Sequence, residues 1–452
     1  MDSHFSEFIG ADAHGRLCIE QCSARELVQR FGSPLFVTSE AQIRHNYRRF
    51  RKAFTDRYTE NDVTVLYAIK ANNNLAIRRI YYQEGAGCDC FGISELWATF
   101  AGGADPKKVV LNGSNKSAEE LEHAVRYGVT VTIDCLQELE RLDAVAERTG
   151  KTVSIMLRLK PRLEGFDGVY GMFSDNIDVA RVIQSWKWGM TYDEALPTLK
   201  RALQMPRIEP VGLHCHIGRQ TGEASPYRAQ AHAVVEQATS MRSETGWTAR
   251  VFDLGGGFAH GRDPESRQST GKAPTIEEFA ETLTSALKAE LKQQNFPPPA
   301  IELEPGRFLI GNTTVLLSTV GIVKRTPALG RVWVNLDCST NQLTRVMSRG
   351  DYYHFIAAEK LNQAATEKVE IVGPLCSPDI LGSGRTLPPL ESGDLIAVLD
   401  AGMYAESTSS QFNGQPRPAS VLANGGGAEI IKVRETVRDV FAQHRIPERL
   451  GT

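Results

Sequence analysis

The feature that most constrains the fold of this sequence is an alternation of short apolar runs and helical stretches between residues 35 and 310. The run VTVLYAIKA (63–71), for example, is rich in β-branched residues, as buried strands are, and LAIRRIYYQEG after it has helical spacing. About eight strand-like runs follow one another in this way, the number that closes a parallel β/α barrel. The alternation therefore predicts an α/β fold, a (β/α)8 TIM-like barrel over residues 35–310, with a doubly wound open sheet as the alternative.

After residue 311 the pattern changes to alternating β-branched segments such as RVWVNLDC and KVEIVGPLC, with few helical stretches. These segments predict a β-rich domain of residues 311–452, joined by residues 1–34, which contain the strand-like LCIE. The segment 161–190 fits neither pattern, and long irregular segments in compact domains are often binding loops. Its role stays open.

Charge and cysteine content narrow the class of protein. Lys and Arg total 51 against 54 Asp and Glu, so the chain lacks the basic excess of a nucleic-acid or membrane-surface binder. No apolar run approaches the ~20 residues that span a bilayer, and the N-terminus lacks the pattern of a secretory signal. Eight cysteines in 452 residues is an ordinary number for a protein whose thiols stay reduced, and it does not indicate a disulfide scaffold. We therefore expect a cytoplasmic protein with a small-molecule substrate and no nucleic-acid or membrane partner.

Residues with chemical potential follow the predicted strands at their C-terminal ends, where β/α barrels carry their active sites. Lys70 ends VTVLYAIK, where burial would lower the pKa of its amine and favour a nucleophile; a lysine that extends to solvent is the ordinary alternative. Glu304 ends IELE and is followed by Arg307, with which it could form a structural ion pair. These strand ends therefore offer candidate catalytic groups.

The motif HCHIG places His214 and His216 on one side of an extended strand. Two histidines at this spacing can bind a metal, but no matching carboxylate motif accompanies them, so we predict no metal site. DLGGGF places Gly255, Gly256 and Gly257 after a strand, either as a tight turn or as a phosphate cradle. Together, a lysine, a histidine, a glycine turn and a carboxylate at strand ends match the needs of pyridoxal phosphate.

Six motifs in family order make the chain resemble the fold-type III pyridoxal-phosphate-dependent decarboxylases, in particular the diaminopimelate decarboxylase-like group, which includes ornithine and arginine enzymes. The motifs are YAIKAN, HCHIG, GGGF, EPGR, GPLC and DAGMY, and the resemblance runs from GSPLFV (32–37) to about residue 421. It implies a β/α barrel with a C-terminal β domain, pyridoxal phosphate as cofactor and amino-acid decarboxylation as activity. An inactive binding homologue or a racemase fits less well, because Lys70 and the GPLC motif are both present.

The resemblance also implies a role for each matching residue. Lys70 resembles the Schiff-base lysine, His216 the histidine stacked on the cofactor ring, and Glu304 the carboxylate that pairs with the pyridine nitrogen. Cys376 of GPLC resembles the cysteine that returns a proton to the substrate from the partner subunit, which implies a homodimer with active sites at the interface. The other positions assigned to the cofactor are Asp89, Arg158, Gly255, Gly256, Gly257, Gly306, Arg307 and Tyr404.

Departures from the family pattern concern the substrate. Arg345 falls where the family has an arginine for the substrate carboxylate, and HIGRQ carries Arg219 where a small hydroxyl residue is usual. In CSPD, Ser377 replaces a glutamate that receives a distal substrate amine, although Asp379 could compensate. We therefore expect an amino acid or amino-acid conjugate with a distal carboxylate, as in siderophore or secondary-metabolite biosynthesis. The alternative is meso-diaminopimelate decarboxylase of lysine biosynthesis, or another basic amino-acid decarboxylase.

Overall fold

The computed structural model describes residues 5–163, 183–218, 222–262 and 273–451. The chain divides into two compact units, one of Arg44–Leu309 and one of Met1–Ile43 with Ile310–Thr452. No helix within the described residues is both long and apolar enough to cross a membrane.

The unit Arg44–Leu309 contains a closed barrel of parallel strands, which confirms the barrel predicted from the alternation. Its strands, β1 to β8 in chain order, are Val63–Ala68, Gly87–Phe91, Val109–Asn112, Thr130–Ile133, Val153–Leu159, Ile208–Cys215, Val251–Asp253 and Ala300–Leu303. Each strand pairs with the next, and β8 pairs with β1 to close the barrel. The helices before, between and after these strands are Glu40–Thr55, Leu75–Gln83, Gly92–Ala101, Ala118–Tyr127, Leu136–Thr149, Tyr192–Ala202, Ser225–Thr245, Ile276–Gln293 and Arg307–Ile310, with 3-10 turns at Ile69–Ala71 and Pro106–Lys108.

Several barrel helices begin at local capping signals. The Ser117 hydroxyl accepts a hydrogen bond from the Glu120 N–H, while the Glu120 carboxylate accepts one from the Ser117 N–H, at the start of Ala118–Tyr127. The helix Ile276–Gln293 begins in the same way. Such a cap stabilises a helix by about 1 kcal/mol and sets the point at which the chain leaves the preceding loop.

An apolar layer fills part of the barrel interior. Leu66, Val110 and Met156 are buried together, and Val211 and Val251 pack against them. Most of these side chains come from alternate strands, as the layers of a barrel interior do. Burying each one stabilises the fold by about 1.5–3 kcal/mol. Residues two positions further along the same strands face the interior as well.

The other unit is built from β-sheets, which confirms the β-rich domain. One sheet has the strands Ile9–Ala11, Leu17–Ile19 and Cys22–Ser23. The second has the strands Leu35–Ser39, Thr314–Thr326, Arg331–Leu336, Phe355–Ala357, Glu367–Val372, Ile380–Leu387, Leu395–Val398, Ala419–Asn424 and Gly427–Lys432. Its helices and 3-10 turns are Ala24–Phe31, Gly311–Thr313, Pro327–Leu329, Thr344–Arg349, Glu406–Thr408, Phe412–Gly414, Val437–Val440 and Glu448–Leu450.

The strand Leu35–Ser39 belongs to this β-rich unit, whereas the alternation places residue 35 at the start of the barrel. It pairs antiparallel with Thr314–Thr326 and parallel with Ala419–Asn424. Leu35 and Val37 are buried in an apolar cluster of that unit. A short apolar run has the same pattern whichever sheet it enters, so periodicity alone does not distinguish the two positions.

Candidate active site

The strand register gathers polar side chains toward the C-terminal end of the barrel. His214 on β6 pairs with Arg158 on β5 and with Asp253 on β7, and Asp253 pairs with Glu302 on β8. Neighbouring residues in register point to the same face of a sheet, and Arg158 lies two residues after Met156 of the interior layer. These four polar side chains therefore face the barrel interior.

Lys70 lies in the 3-10 turn after β1 and forms an ion pair with Asp89 of β2. Its Nζ lies 2.5 Å from Asp89 Oδ2 and 4.6 Å from the centre of the Phe91 ring. Asp89 is buried, but 41% of the Lys70 side chain is exposed, so the burial expected at this strand end is only partial. Burial and the charge of Glu304 raise the pKa of Asp89, and the charge of Lys70 offsets part of that rise. The site thus presents a lysine amine held by a buried acid.

Asn112, the last residue of β3, connects Asp89 to Glu304. Its Nδ2 donates to Asp89 Oδ1 at 2.8 Å and to Glu304 Oε1 at 2.5 Å. Lys70, Asp89, Asn112 and Glu304 therefore form a continuous network of polar contacts. We did not identify Asn112 from the sequence, although KKVVLNG carries the same signal as the other strand ends, an apolar run followed by a polar residue.

Glu304 carries the negative charge of this network. Its Oε2 lies 3.5 Å from His214 Nε2, and its Oε1 accepts the Asn112 hydrogen bond. Burial opposes ionisation, but the interaction with His214 and the charge of Lys70 outweigh it and hold the pKa of Glu304 below its usual value. Glu304 can therefore pair with a protonated ring nitrogen.

His216 follows β6 and lies against the glycine turn. Its Nδ1 accepts a hydrogen bond from the Gly256 N–H at 3.2 Å, and burial lowers the pKa of His216 to about 3. A Cβ atom on Gly255 would lie 2.6 Å from His216 Nδ1, and one on Gly256 would overlap the Glu304 carbonyl. Glycine is therefore required at both positions, because the turn approaches the histidine and the glutamate so closely.

The remaining glycines assigned to the cofactor are also closely packed. Gly257 has a φ of +101°, which L side chains rarely adopt, and a Cβ atom on Gly306 would lie 2.9 Å from Ala71 Cβ. Arg307 follows Gly306 and is 6% exposed. These close approaches are to protein atoms, so the assignment of the glycines to the cofactor phosphate stays a prediction.

Arg158 is 7% exposed, and within the described residues its guanidinium forms no ion pair. Its guanidinium carbon lies 5.7 Å from the centre of the Trp188 ring. The Met190 N–H donates to the Arg158 carbonyl at 2.8 Å, which holds WKWGM (186–190) alongside β5. A buried guanidinium of this kind is suited to an anionic oxygen of a ligand.

In the β-rich unit, Cys376 is exposed in the GPLC loop. Asn413 holds the loop: its Oδ1 accepts from the Cys376 N–H at 3.0 Å, and its Nδ2 donates to Cys376 Sγ at 3.4 Å. Asn413 has a φ of 58° and precedes Gly414. We did not identify Asn413 from the sequence, although Asn-Gly is a turn signal.

Asp379 differs from its predicted role as a substrate residue. It is 1% exposed, and its Oδ1 accepts hydrogen bonds from the N–H and hydroxyl of Thr340, while its Oδ2 accepts one from the Leu375 N–H. The carboxylate is therefore committed to the backbone around the GPLC loop and is poorly placed to receive a substrate amine. Ser377, the other predicted substrate residue of this loop, is half-buried.

Arg345 forms a buried ion pair with Asp351. Its Nε lies 2.8 Å from Asp351 Oδ2, and the two side chains are 11% and 4% exposed. The guanidinium carbon also lies 4.7 Å from the centre of the Tyr404 ring. Tyr404 has a φ of 52°, a conformation that non-glycine residues seldom adopt and that often marks functional sites. Two predicted residues, Arg345 and Tyr404, therefore lie together, and Asp351 joins them.

Two predicted features fall outside the described residues. Arg219 is one, and residues 164–182 of the segment 161–190 are the other. The proposed substrate role of Arg219 stays a prediction.

The barrel also brings together three side chains that could hold a metal. A ring nitrogen of His214 and one carboxylate oxygen each of Asp253 and Glu304 lie within 4.8 Å of one another. The three residues come from different strand motifs, so the sequence around HCHIG does not indicate the two carboxylates. Glu304 already accepts a hydrogen bond from Asn112, which leaves this cluster part of the same polar network.

The barrel site fits pyridoxal phosphate. Lys70 offers an amine, Glu304 an ionised acid for the ring nitrogen, and Arg158 a buried cation without an acidic partner among the described residues. Gly255 and Gly256 cannot carry side chains, because a Cβ atom at these positions would overlap His216 and the Glu304 carbonyl. This donor set matches a cofactor that has a carbonyl, a ring nitrogen and a phosphate.

Comparisons with known proteins support the same cofactor. The family described as "Pyridoxal-dependent decarboxylase, pyridoxal binding domain" matches residues 40–311. A diaminopimelate decarboxylase of Archaeoglobus fulgidus is 34% identical over 437 residues, which cover 96% of this chain and 98% of that relative. A diaminopimelate decarboxylase of Bacillus subtilis is 30% identical over 431 residues, or 94% of each chain.

Solved structures agree with the sequence relatives. The crystal structure of diaminopimelate decarboxylase from Methanocaldococcus jannaschii has a TM-score of 0.89 and 30% identity, and the match covers 98% of this chain and 99% of the other. The complex of that enzyme with L-lysine has the same TM-score of 0.89. This chain is therefore a pyridoxal-phosphate-dependent amino-acid decarboxylase and belongs to the diaminopimelate decarboxylase-like group of fold type III.

Proposed function

We propose that this enzyme decarboxylates meso-diaminopimelate. The observation that carries the proposal is the likeness over nearly the whole chain to relatives named diaminopimelate decarboxylase, of which the Archaeoglobus fulgidus enzyme matches over 96% of this chain and 98% of its own. A structural relative has been solved with L-lysine, the compound formed when diaminopimelate loses one carboxylate. Meso-diaminopimelate also has a distal carboxylate, the feature that Arg345 favours, although Ser377 replaces the glutamate that receives a distal amine in the family. The relatives thus support this alternative over the siderophore-pathway substrate.

The barrel residues have distinct tasks in this reaction. When bound, pyridoxal phosphate supplies the electron-accepting ring that makes loss of CO₂ feasible. Lys70 provides the amine that attaches the cofactor, and Asp89 holds that amine 2.5 Å from its Oδ2. Glu304 keeps a proton on the ring nitrogen, because an adjacent anion raises the pKa of that nitrogen. His216, whose pKa is lowered by burial, would contact the cofactor ring as a neutral imidazole.

The β-rich unit supplies the groups that act on the substrate. Arg345 binds a substrate carboxylate. Asp351, whose Oδ2 lies 2.8 Å from Arg345 Nε, holds the guanidinium in place. Cys376 returns a proton to the α-carbon after CO₂ has left, because its thiol is exposed and is fixed by Asn413. Tyr404, which lies under the Arg345 guanidinium, is the residue that we assign to the cofactor phosphate.

We also propose a homodimer in which Cys376 of one copy serves the Lys70 site of the other. Mixing the impaired variants Lys70→Ala and Cys376→Ala should then restore about a quarter of wild-type activity, because half of the dimers are mixed and each holds one intact site. No recovery on mixing, with exchange of subunits demonstrated by a tag, would place both residues in one copy. The cytoplasmic location expected from the sequence stays a prediction.

A substrate panel tests the proposed function. CO₂ release is measured from meso-diaminopimelate, L-lysine, L-ornithine and a citrate-conjugated amino acid, with Lys70→Ala as the control for background release. We expect meso-diaminopimelate to react at least tenfold faster than the others, since lysine and ornithine lack its distal carboxylate and a site that binds such a group rejects analogues without it. Turnover of the conjugate without turnover of meso-diaminopimelate would overturn the proposal.

A conjugate with a distal carboxylate is the second candidate, and Ser377 favours it. The serine lies next to Cys376, where the family pattern has a glutamate for a distal amine. Introducing that acid as Ser377→Glu should raise the rate with lysine or ornithine relative to substrates that end in a carboxylate. An unchanged preference would remove Ser377 from the choice of substrate.

A further inference from the structure

A second pair of acids lies beside Glu304 in the barrel interior. Asp253 on β7 and Glu302 on β8 are register partners, and Glu302 lies two residues before Glu304, which directly follows β8. A carboxylate oxygen of Asp253 lies within 4.8 Å of one from Glu304. Neither Asp253 nor Glu302 has a role in binding the cofactor or the substrate in the proposed function.

The hydrogen bonding of these two acids is asymmetric. Asp253 Oδ1 accepts a hydrogen bond from the Gly255 N–H at 2.8 Å. Asp253 Oδ2 and Glu302 Oε2 are buried, and neither has a hydrogen-bond partner among the described residues. An ionised oxygen in such a position loses its water without replacement, which is costly, whereas a neutral carboxyl group is tolerated more easily.

The charges around Asp253 and Glu302 also favour the protonated form of both acids. His214 pairs in register with Asp253, and Lys70, His214 and His216 act electrostatically on Glu304, the third acid of the cluster. Of these, Lys70 is already paired with Asp89. Buried acids without a cation of their own take up a proton in preference to remaining ionised.

The pKa values of Asp253, Glu302 and Glu304 reflect their burial and their proximity to one another. Burial and the charge of Glu304 raise the pKa of Asp253 well above its ordinary value, and they raise the pKa of Glu302 to about 7. The pKa of Glu304 shifts in the opposite direction. The three neighbouring acids are therefore not equivalent, and their geometry concentrates the charge on one of them.

We propose that Asp253 and Glu302 are positioning residues that hold protons in the working enzyme, so that the negative charge of the cluster stays on Glu304. A proton on Asp253 removes a second negative charge within 4.8 Å of the Glu304 carboxylate, the group that would pair with the cofactor ring nitrogen. The inference rests on the cofactor site and not on the substrate assigned under the proposed function. It is therefore tested without any substrate.

Infrared difference spectroscopy tests the protonation directly. Spectra of Asp253→Asn and Glu302→Gln are each subtracted from the wild-type spectrum of the cofactor-loaded enzyme at about pH 6, where exposed carboxylates are ionised. We expect each difference to contain the carbonyl band of a protonated carboxyl group, and the Glu302 band to disappear with a midpoint near the pKa of about 7. The matched control is Glu209→Gln, which neutralises an acid paired with Arg250 and should show no such band.

A second measurement separates positioning from simple packing. Asp253→Ala should weaken cofactor binding by about tenfold, and Asp253→Asn should recover most of that loss, because asparagine keeps both the acceptor for the Gly255 N–H and a donor. If Asp253→Ala does not fold, the Glu302→Gln spectrum still decides the question. Three results would overturn the inference: no carboxyl band in either difference, an asparagine variant as weak as the alanine variant, or one tightly bound divalent metal ion per chain at His214, Asp253 and Glu304.

Discussion

The side-chain nitrogen of Asn112 lies 2.5 Å from Glu304 Oε1. The same nitrogen donates to Asp89 Oδ1 at 2.8 Å, so one neutral amide lies between two buried carboxylates. Charges of like sign repel strongly in a protein interior, where the dielectric constant is low. Asn112 therefore allows Asp89, which holds Lys70, and Glu304 to lie in one hydrogen-bond network.

Replacing Asn112 with alanine should lower kcat/KM by about 10- to 100-fold, because hydrogen bonds to charged groups contribute about 1.5–3 kcal/mol. Steady-state kinetics and cofactor titration measure the loss. The control Asn61→Ala removes an exposed amide that donates to the Pro298 carbonyl and should leave both values unchanged. Wild-type kinetics in Asn112→Ala would show that the network is not needed.

Replacing Asp351 with asparagine should raise KM about tenfold with a smaller effect on kcat, since Arg345 loses the partner that orients its guanidinium. Asp351→Glu should recover part of the loss because it restores the charge. Asp193→Asn is the control, because that side chain is 89% exposed. A loss confined to kcat would instead assign the ion pair to the chemical step.

Replacing Glu302 with glutamine should flatten the pH dependence of stability. The pKa of Glu302 is raised from 4.5 to about 7 in the folded chain, so the folded state binds this proton more tightly than the unfolded state. The resulting stabilisation is complete below about pH 4.5 and is lost as the pH rises through about 7, an effect of up to about 3 kcal/mol. Denaturant unfolding of the cofactor-free chain at several pH values measures it. Parallel pH curves for the variant and the wild type would contradict the raised pKa.

Replacing Cys376 with alanine should slow turnover at least tenfold while cofactor affinity stays unchanged, because the thiol acts as an acid after CO₂ has left. Asn413→Ala should have a smaller effect of the same kind, since it releases the thiol from its 3.4 Å contact. Cys135→Ala is the matched control, because Cys135 is also exposed but lies in the barrel unit. Equal rates for Cys376→Ala and Cys135→Ala would assign the proton to another group.

The strand-end residues were predictable because parallel strands present their C-terminal ends at one side of a barrel. Lys70 and Glu304 follow apolar runs in the sequence and occupy one network in the structure. Asn112 obeys the same rule, but an amide has no chemistry of its own that would single it out. Its importance depends on two acids from other strands, which a local pattern does not contain.

The GPLC loop was less predictable because its side chains are used by the loop itself. Asp379 has a φ of 47°, and its carboxylate binds the backbone of Thr340 and Leu375. A turn residue and a substrate residue look alike in a sequence when both are aspartates. Asp253 and Glu302 are similar cases, since their proximity arises only from the register of β7 and β8.

The most direct test of the account is CO₂ release from meso-diaminopimelate by the wild-type enzyme and by Lys70→Ala, both supplied with pyridoxal phosphate. We expect steady release by the wild type, together with the visible absorbance of the lysine-bound cofactor. Lys70→Ala should lose that absorbance and several orders of magnitude of rate. Release at the wild-type rate by Lys70→Ala, or none by the wild type, would contradict it.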